Sequence, residues 1–277
     1  AGHPDPMTAH DTDLAFALLA ATQAGERLDR LRKTGRWEGA IMGDVGDQAA
    51  DGYLQGLILG RFPEDGLLSE ETISDPGRTS CSRAWIVDPL DGTKEYSAGR
   101  HDWAVHVALA IDGKPILGAV SLPTQGRLLW GVCAPGAERS GLEGPAADQG
   151  VVLRRGTDPC SPRLKVAVSR SHTPEWVERF AAAMDADLVP AGSVGNKVCM
   201  LLTGEADLYV HQIGLKEWDT CAPECIARSL GWHVSKLRGD AHVYNQEDPY
   251  NHELVVCPPD LEERVLAAIA ASGALDG

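Results

Sequence analysis

Apolar residues recur at helical spacing through "DTDLAFALLAATQAGERLDRLRK", with Asp11 or Thr12 placed to cap it, and again through "DQAADGYLQGLILGRF", which closes before Pro63. The pattern then shortens. Strands are predicted at "GLLSEE" and "AWIVD", then at "WAVHVALAID", "ILGAVSLP" and "RLLWGVC", with Asp112-Gly113 as the first hairpin turn. Residues 136–163 are rich in Gly, Pro and charge and mark the expected boundary between two halves, 7–155 and 160–277. Beyond it short strands and helices alternate. The strands are "LKVAVS", "DLVPAG", "ADLYVH" and "LVVCP". The helices are "TPEWVERFAAAM" with Pro174 near its start, "VGNKVCMLLTG", "EWDTCAPECIARSLG" ended by Gly231, and "LEERVLAAIAAS". An antiparallel α+β half followed by an α/β half implies layered sheets and helices.

Composition changes this picture little. The 277 residues are 43% hydrophobic and 23% charged, ordinary for a globular chain. No run approaches eighteen apolar residues, so no membrane span is expected. The start, "AGHPDPMTAHD", lacks a basic segment followed by an apolar one; Met7 is the expected native start, and a cytoplasmic location is expected. A formal net charge of -15 argues against a nucleic-acid polymer as partner, and it also suits a chain that gathers carboxylates around cations. The seven cysteines, at 81, 133, 160, 199, 221, 225 and 257, read as reduced thiols, since only Cys221 and Cys225 are close and their spacing is helical rather than that of a zinc ribbon.

The chemistry is concentrated in "WIVDPLDGTKEY". Pro89 holds Asp88 extended, and Gly92 permits a tight turn. Such a turn can aim two carboxylates and the Leu90 carbonyl at one hard cation, while the amides of Gly92 and Thr93 open a helix towards a phosphate. An Asx-Pro turn with a solvated second acid reads equally from these residues alone. Glu70 and Glu71 follow an apolar strand, Asp47 stands near the predicted start of the second helix, and Asp219 follows Trp218 at another helix start. Each of these also reads as an exposed pair or a first-turn acid.

Taken together the motifs resemble the lithium-sensitive, magnesium-dependent phosphatases of the inositol monophosphatase superfamily. "LSEET" is similar to their Glu-Glu motif, "WIVDPLDGT" to their Trp-Ile-x-Asp-Pro-x-Asp-Gly-Thr signature and "WDTCAPE" to their C-terminal Trp-Asp motif; "GDQAAD" stands where they have a first-helix Asp. The resemblance implies a layered αβαβα sugar-phosphatase fold, with an antiparallel N-terminal sheet and a mixed C-terminal one. It implies that Glu70, Asp88, the Leu90 carbonyl, Asp91 and Asp219 hold two or three magnesium ions. Asp47 and Thr93, with Glu70, would orient and deprotonate the attacking water, and the Gly92 and Thr93 amides would bind the phosphate. Paired metals suit an in-line displacement. Five carboxylates in one cleft would otherwise repel and take up protons, so Asp91→Asn is expected to abolish turnover and to relieve repulsion in the metal-free protein.

Lys94-Glu95-Tyr96 after the signature resembles the CysQ branch, the 3'-phosphoadenosine 5'-phosphate phosphatases of sulfate assimilation, as do "GRHDWAVHVALA" and the tail "YNQEDPYNHELVVC". The expected substrate is adenosine 3',5'-bisphosphate, or its 5'-phosphosulfate analogue. The alternatives are inositol 1-phosphate or fructose 1,6-bisphosphate, and, in another class, a non-catalytic metal-dependent nucleotide sensor. Ser193 and Lys197 in "GSVGNK" could meet the nucleotide or merely cap a helix, and Lys94 and Glu95 could be solvated first-turn residues. His211 stands where the inositol enzymes place a substrate-binding glutamate, though a lone His after a strand also reads as structural. His101, His106, His172, His233, His242 and His252 show no ligand spacing and receive no role. By family analogy a homodimer is expected.

Overall fold

The computed structural model describes residues 10–71, 75–171 and 173–275. Met7, Thr72 of the "LSEET" motif and His172 lie outside the described residues.

Two long helices, α1 (Asp11–Lys33) and α2 (Gly39–Arg61), precede a six-stranded sheet of β1 (Gly66–Ser69), β2 (Arg83–Asp91), β3 (Ala104–Ile111), β4 (Lys114–Leu122), β5 (Arg127–Val132) and β6 (Arg139–Glu143), in that spatial order. A short helix α3 (Thr93–Ser97) follows β2, and α4 (Pro145–Asp148) follows β6. The second sheet runs β10-β11-β9-β7-β8, with β7 (Leu164–Ser169), β8 (Ala186–Ala191), β9 (Leu208–Lys216), β10 (His233–Ser235) and β11 (Tyr250–Cys257). Helices α5 (Glu175–Met184), α6 (Val194–Leu202), α7 (Glu217–Ser229) and α8 (Glu262–Ala271) complete the chain.

The layers are α1 and α2, the first sheet, α6 and α7, the second sheet, then α5 and α8. Helices cover both faces of each sheet, which is why the strands read as nearly continuous apolar runs. Alternation sorts β3 between two cores. Val105, Val107 and Leu109 face α1 and α2, while Ala104, Ala108 and Ala110 face α6 and α7. Small residues on that inner face let α7 lie close: a Cβ on Gly118 would stand 2.6 Å from the Cα of Ala222, and one on Gly131 would stand 2.8 Å from the Cα of Ile226.

Several expectations change in the fold. The first sheet is mixed rather than antiparallel, because β1 pairs parallel to β2 through a crossover that includes the short helix Pro76–Ser80. Helix α2 starts eight residues before Asp47, which puts that acid mid-helix rather than at a helix start. Asp11 and Thr12 lie inside α1 and cap nothing; the N-cap is His10, whose φ of 66° is left-handed. Pro174 stands at the start of its helix as read, in the N-cap position. Residues 136–163 carry β6 and α4, so this stretch extends the first sheet before the chain crosses to the second. Strand β9 continues past His211 to Lys216, and β10 has no counterpart in the apolar pattern. The hairpin turn is as read, with φ of 50° at Asp112 and 73° at Gly113. Among the described residues no helix is long and apolar enough to cross a membrane.

Candidate active site

Strand β2 does not stop at Asp88, as the apolar run suggested, but continues to Asp91 with a shift of register against β3 between those two residues. The shift matters for chemistry. On a regular strand residues three apart point to opposite faces. Pro89 cannot donate to the ladder, and the irregularity it marks puts Leu90 into the core under α1 and α2 together with Trp85 and Val87. Asp88 and Asp91 thereby come onto one side, with ligand-capable atoms within 4.8 Å of each other and of His106. The Leu90 amide donates to Asp88 Oδ1 at 3.0 Å.

The turn after Asp91 uses Gly92 at φ 93° as the N-cap of α3. Thr93 begins the helix. Its hydroxyl lies 3.3 Å from Asp47 Oδ1 on α2 and 3.2 Å from the Leu90 carbonyl. One turn along α2, Asp51 Oδ1 accepts from Ser69 Oγ at 2.5 Å and ties the end of β1, and hence Glu70, to α2. Asp219 sits in the first turn of α7, where it accepts from the Lys216 amide at 2.8 Å.

The fold thus gathers Asp47, Glu70, Asp88, Asp91 and Asp219, and their proton affinities record the crowding. Burial first, then the charge of Glu71, pushes Asp47 up to about 7. Loss of water around the carboxyl, then Asp219 and its neighbours, pushes Glu70 up to about 8, although Glu70 as a residue is largely exposed. Asp219 is raised to about 7 by burial and by Asp91, and Asp88 well above the carboxylate range by burial and by Glu70. Asp91 is the exception. Burial alone would raise it, but His106, Lys197 and Ser193 hold it at about 2. Its Oδ2 accepts from Ser193 Oγ at 2.5 Å and from the Gly195 amide at 2.9 Å, with His106 Nε2 at 3.1 Å. All three contacts fall on the same carboxylate oxygen.

Ser193 and Lys197 therefore belong to this place. Ser193 takes φ 57°, sparsely populated for a side-chain-bearing residue, and caps α6 by accepting from the Asn196 amide at 3.0 Å. Lys197 is buried, donates to the Ser193 carbonyl at 2.7 Å and is lowered to about 8 by burial. His211 makes its contacts with neighbours on its own strand. It lies within β9, 3.3 Å from the Tyr209 hydroxyl and 3.2 Å from the Ile213 carbonyl. Glu95 is not a solvated helix residue. It accepts from Arg170 at 3.1 Å, and Arg170 also pairs with Asp102 at 2.7 Å, while Asp102 accepts from the Gly192 amide at 2.7 Å.

His106, assigned no role above, is fully buried between Asp91 and the Trp218 carbonyl, 3.1 Å from Nδ1, and so joins the two acid motifs. The available signal was a histidine on the inner face of an otherwise apolar strand; spacing to other ligands could not find it. A Cβ on Gly195 would fall 2.2 Å from His106 Nε2, so only glycine fits there.

Comparison with known proteins agrees with this geometry. The profile of the inositol monophosphatase family matches residues 3–274. The chain is 35% identical over 282 residues to a protein of Mycobacterium leprae named 3'-phosphoadenosine 5'-phosphate phosphatase, covering 95% of this chain and 98% of the relative. It is 35% identical over 174 residues to mouse 3'(2'),5'-bisphosphate nucleotidase 1, covering 58% of this chain and 52% of the relative. Among solved structures, CysQ from Bacteroides thetaiotaomicron superposes with a TM-score of 0.76 at 25% identity, covering 90% of this chain and 98% of that one. With the signature, the fold and a full-length profile match all in agreement, this chain belongs to the inositol monophosphatase family of metal-dependent phosphatases.

Proposed function

We propose that the protein is a magnesium-dependent phosphomonoesterase that removes the 3'-phosphate of adenosine 3',5'-bisphosphate. The observation that carries this reading is the convergence of Asp47, Glu70, Asp88, Asp91 and Asp219 with proton affinities mostly raised by burial and mutual repulsion. Such a set of hard oxygen donors fits divalent cations, which relieve both penalties. In this reading Glu70, Asp88, the Leu90 carbonyl, Asp91 and Asp219 hold two or three magnesium ions. When bound, magnesium supplies Lewis-acid stabilisation of the charge that builds on the transferred phosphoryl group.

The chain's own residues do the rest. Thr93 Oγ1 orients the incoming water and passes a proton to Asp47 Oδ1, which lies 3.3 Å away on α2 and is largely shielded from bulk water. Glu70 faces the same water. The Gly92 and Thr93 amides receive the phosphate at the start of α3. Lys197 offers a cation on α6 for the second phosphate, remote binding energy that serves to position the first, and Ser193, whose hydroxyl donates to Asp91, forms the turn beside it. Residues 7–155 would supply most of the metal ligands, and residues 160–277 Asp219, Ser193 and Lys197. His211 keeps a substrate role only if the bound nucleotide reaches β9. The similarity to the mycobacterial phosphatase along nearly the whole chain supports the nucleotide bisphosphate over a sugar or inositol phosphate. A cytoplasmic location is part of the proposal and accords with seven free cysteines.

The test is kcat/KM for adenosine 3',5'-bisphosphate against inositol 1-phosphate and fructose 1,6-bisphosphate at saturating magnesium, followed by a lithium titration. Preference for the nucleotide and inhibition by lithium are expected. Equal or reversed preference moves the protein to the sugar or inositol branch, and absence of turnover with all three substrates refutes the enzymatic reading.

A further inference from the structure

Residues 244–251, Tyr-Asn-Gln-Glu-Asp-Pro-Tyr-Asn, lead into β11, yet their polar groups serve two other segments. Asn245 stands at φ 59°, a left-handed conformation that asparagine tolerates. Arg78, only 3% exposed, donates through Nη1 to Asn245 Oδ1 at 2.8 Å and through Nη2 to the Gln246 carbonyl at 2.7 Å. Asn245 Nδ2 donates back to the carbonyls of Arg78 at 3.0 Å and Cys81 at 3.2 Å. Arg78 lies in the short helix Pro76–Ser80, which packs on β1, the strand that ends beside Glu70: a Cβ on Gly66 would stand 3.1 Å from Arg78 Cβ.

On its other side the turn grips α7. The Asn245 and Gln246 amides donate to Glu217 Oε2 at 2.6 Å and Oε1 at 2.8 Å, and the Glu217 amide donates to the Pro249 carbonyl at 2.8 Å. The Tyr244 hydroxyl donates to Glu224 Oε2 at 2.7 Å and lies 3.1 Å from Thr220 Oγ1, to which Asn251 Nδ2 also reaches at 3.3 Å. Glu217, Thr220 and Glu224, at 0%, 0% and 1% exposure, form one stripe of the helix. Asp219 leaves the same first turn towards the acid cluster.

We propose that this turn is a positioning clamp for the metal-binding acids, holding the first turn of α7, and so Asp219, at a fixed separation from the segment that carries Glu70. The proposal rests on the assignment of those two acids as metal ligands. Its physical basis is that like charges spread apart unless something rigid opposes them, and buried hydrogen bonds to backbone amides are stiff and costly to break. Removing a group hydrogen-bonded to a metal ligand typically costs about 10–100-fold in metal affinity; Glu217 acts on Asp219 through the helix turn they share.

Two variants of the full chain test it. Glu217→Gln keeps shape but turns an amide nitrogen towards one of the two backbone donors. Asn245→Gly keeps the left-handed turn and its N–H while removing the three side-chain hydrogen bonds of Asn245 to Arg78 and Cys81; the Arg78 bond to the Gln246 carbonyl remains. Magnesium binding is measured by calorimetry, beside thermal stability and the KM for the phosphate ester at saturating magnesium. Glu217→Gln should weaken magnesium binding at least ~10-fold and Asn245→Gly by several-fold, with that KM unchanged. Wild-type magnesium affinity in folded Asn245→Gly and Glu217→Gln overturns the clamp, even if both melt earlier; if Glu217→Gln does not fold, Asn245→Gly decides. Asp219→Asn separates the two levels: if it too leaves magnesium binding intact, the ligand assignment itself fails.

Discussion

Asp91→Asn, measured without metal, discriminates between two electrostatic accounts of this site. Reasoning from repulsion among five acids, removal of one charge should stabilise the metal-free protein. The structure reverses this for Asp91. Three groups converge on its Oδ2, the Lys197 cation adds its attraction, and the carboxyl is held at about 2 against 3.8 for a free aspartate. A group whose folded affinity for protons is depressed contributes stability above its unfolded value and loses it as pH falls through the folded one. At 1.36 kcal/mol per tenfold in affinity, the depression corresponds to roughly 2 kcal/mol at neutral pH. Neutralising Asp91 also leaves Lys197 and His106 buried beside an uncharged amide, and removing one partner from such a set costs about 3–5 kcal/mol in other proteins. At ~2 °C per kcal/mol for a chain of this size, the melting temperature of Asp91→Asn in EDTA at pH 7.5 should fall by roughly 5–10 °C. Asp88→Asn should move the other way. Burial and the charges of Glu70, Asp91 and Asp219 oppose the ionisation of Asp88, and an asparagine there still accepts from the Leu90 amide. Scanning calorimetry of both variants beside wild type, with and without magnesium, gives the answer. An Asp91→Asn protein as stable as wild type in EDTA would refute the claim that this carboxylate is charged and held. Both variants should lack turnover.

The other expectations follow from the same geometry. Asp47, Glu70 and Asp219 hold protons in the fold up to about 7, 8 and 7 but release them at 3.8, 4.5 and 3.8 in the unfolded chain, so metal-free stability should fall as pH rises from about 4 to about 8; saturating magnesium should flatten that slope, and pH-dependent melting curves check it. Thr93→Ala should lower kcat about 100-fold with little change in KM, since the hydroxyl serves the reacting water, and a change confined to KM would make it a binding residue. Gly195→Ala should melt well below wild type and lose activity, because its Cβ would overlap His106; a crystal structure with His106 unmoved would contradict this.

How much of this was legible beforehand differs by residue. "DPLDGT" announced itself through covalent constraints: Pro89 fixes the residue before it, Gly92 permits a backbone that Asp or Thr would resist, and both effects are local. The apolar periods of α1, β3, β4 and α8 were equally local, and their elements stand where the pattern put them, within a few residues. Family motifs in the right order added which acids belong together.

Only the tertiary structure decided the rest. Whether Asp88 and Asp91 share a face depends on a register shift against β3, a property of strand pairing that neither strand contains alone. Asp47 lies mid-helix because α2 is prolonged by packing on α1 and β2, not by a start signal. His106 offered no ligand spacing, because its partners come from a strand end and a helix 112 residues away. Whether Glu95 was solvated stayed open because its partner Arg170 approaches from the end of β7, across 75 residues. The sign of each carboxylate's shift was likewise beyond sequence: burial and neighbouring charge act over ångströms in space, and five acids with the same intrinsic affinity part company only when the fold gives one of them three donors and the others one another.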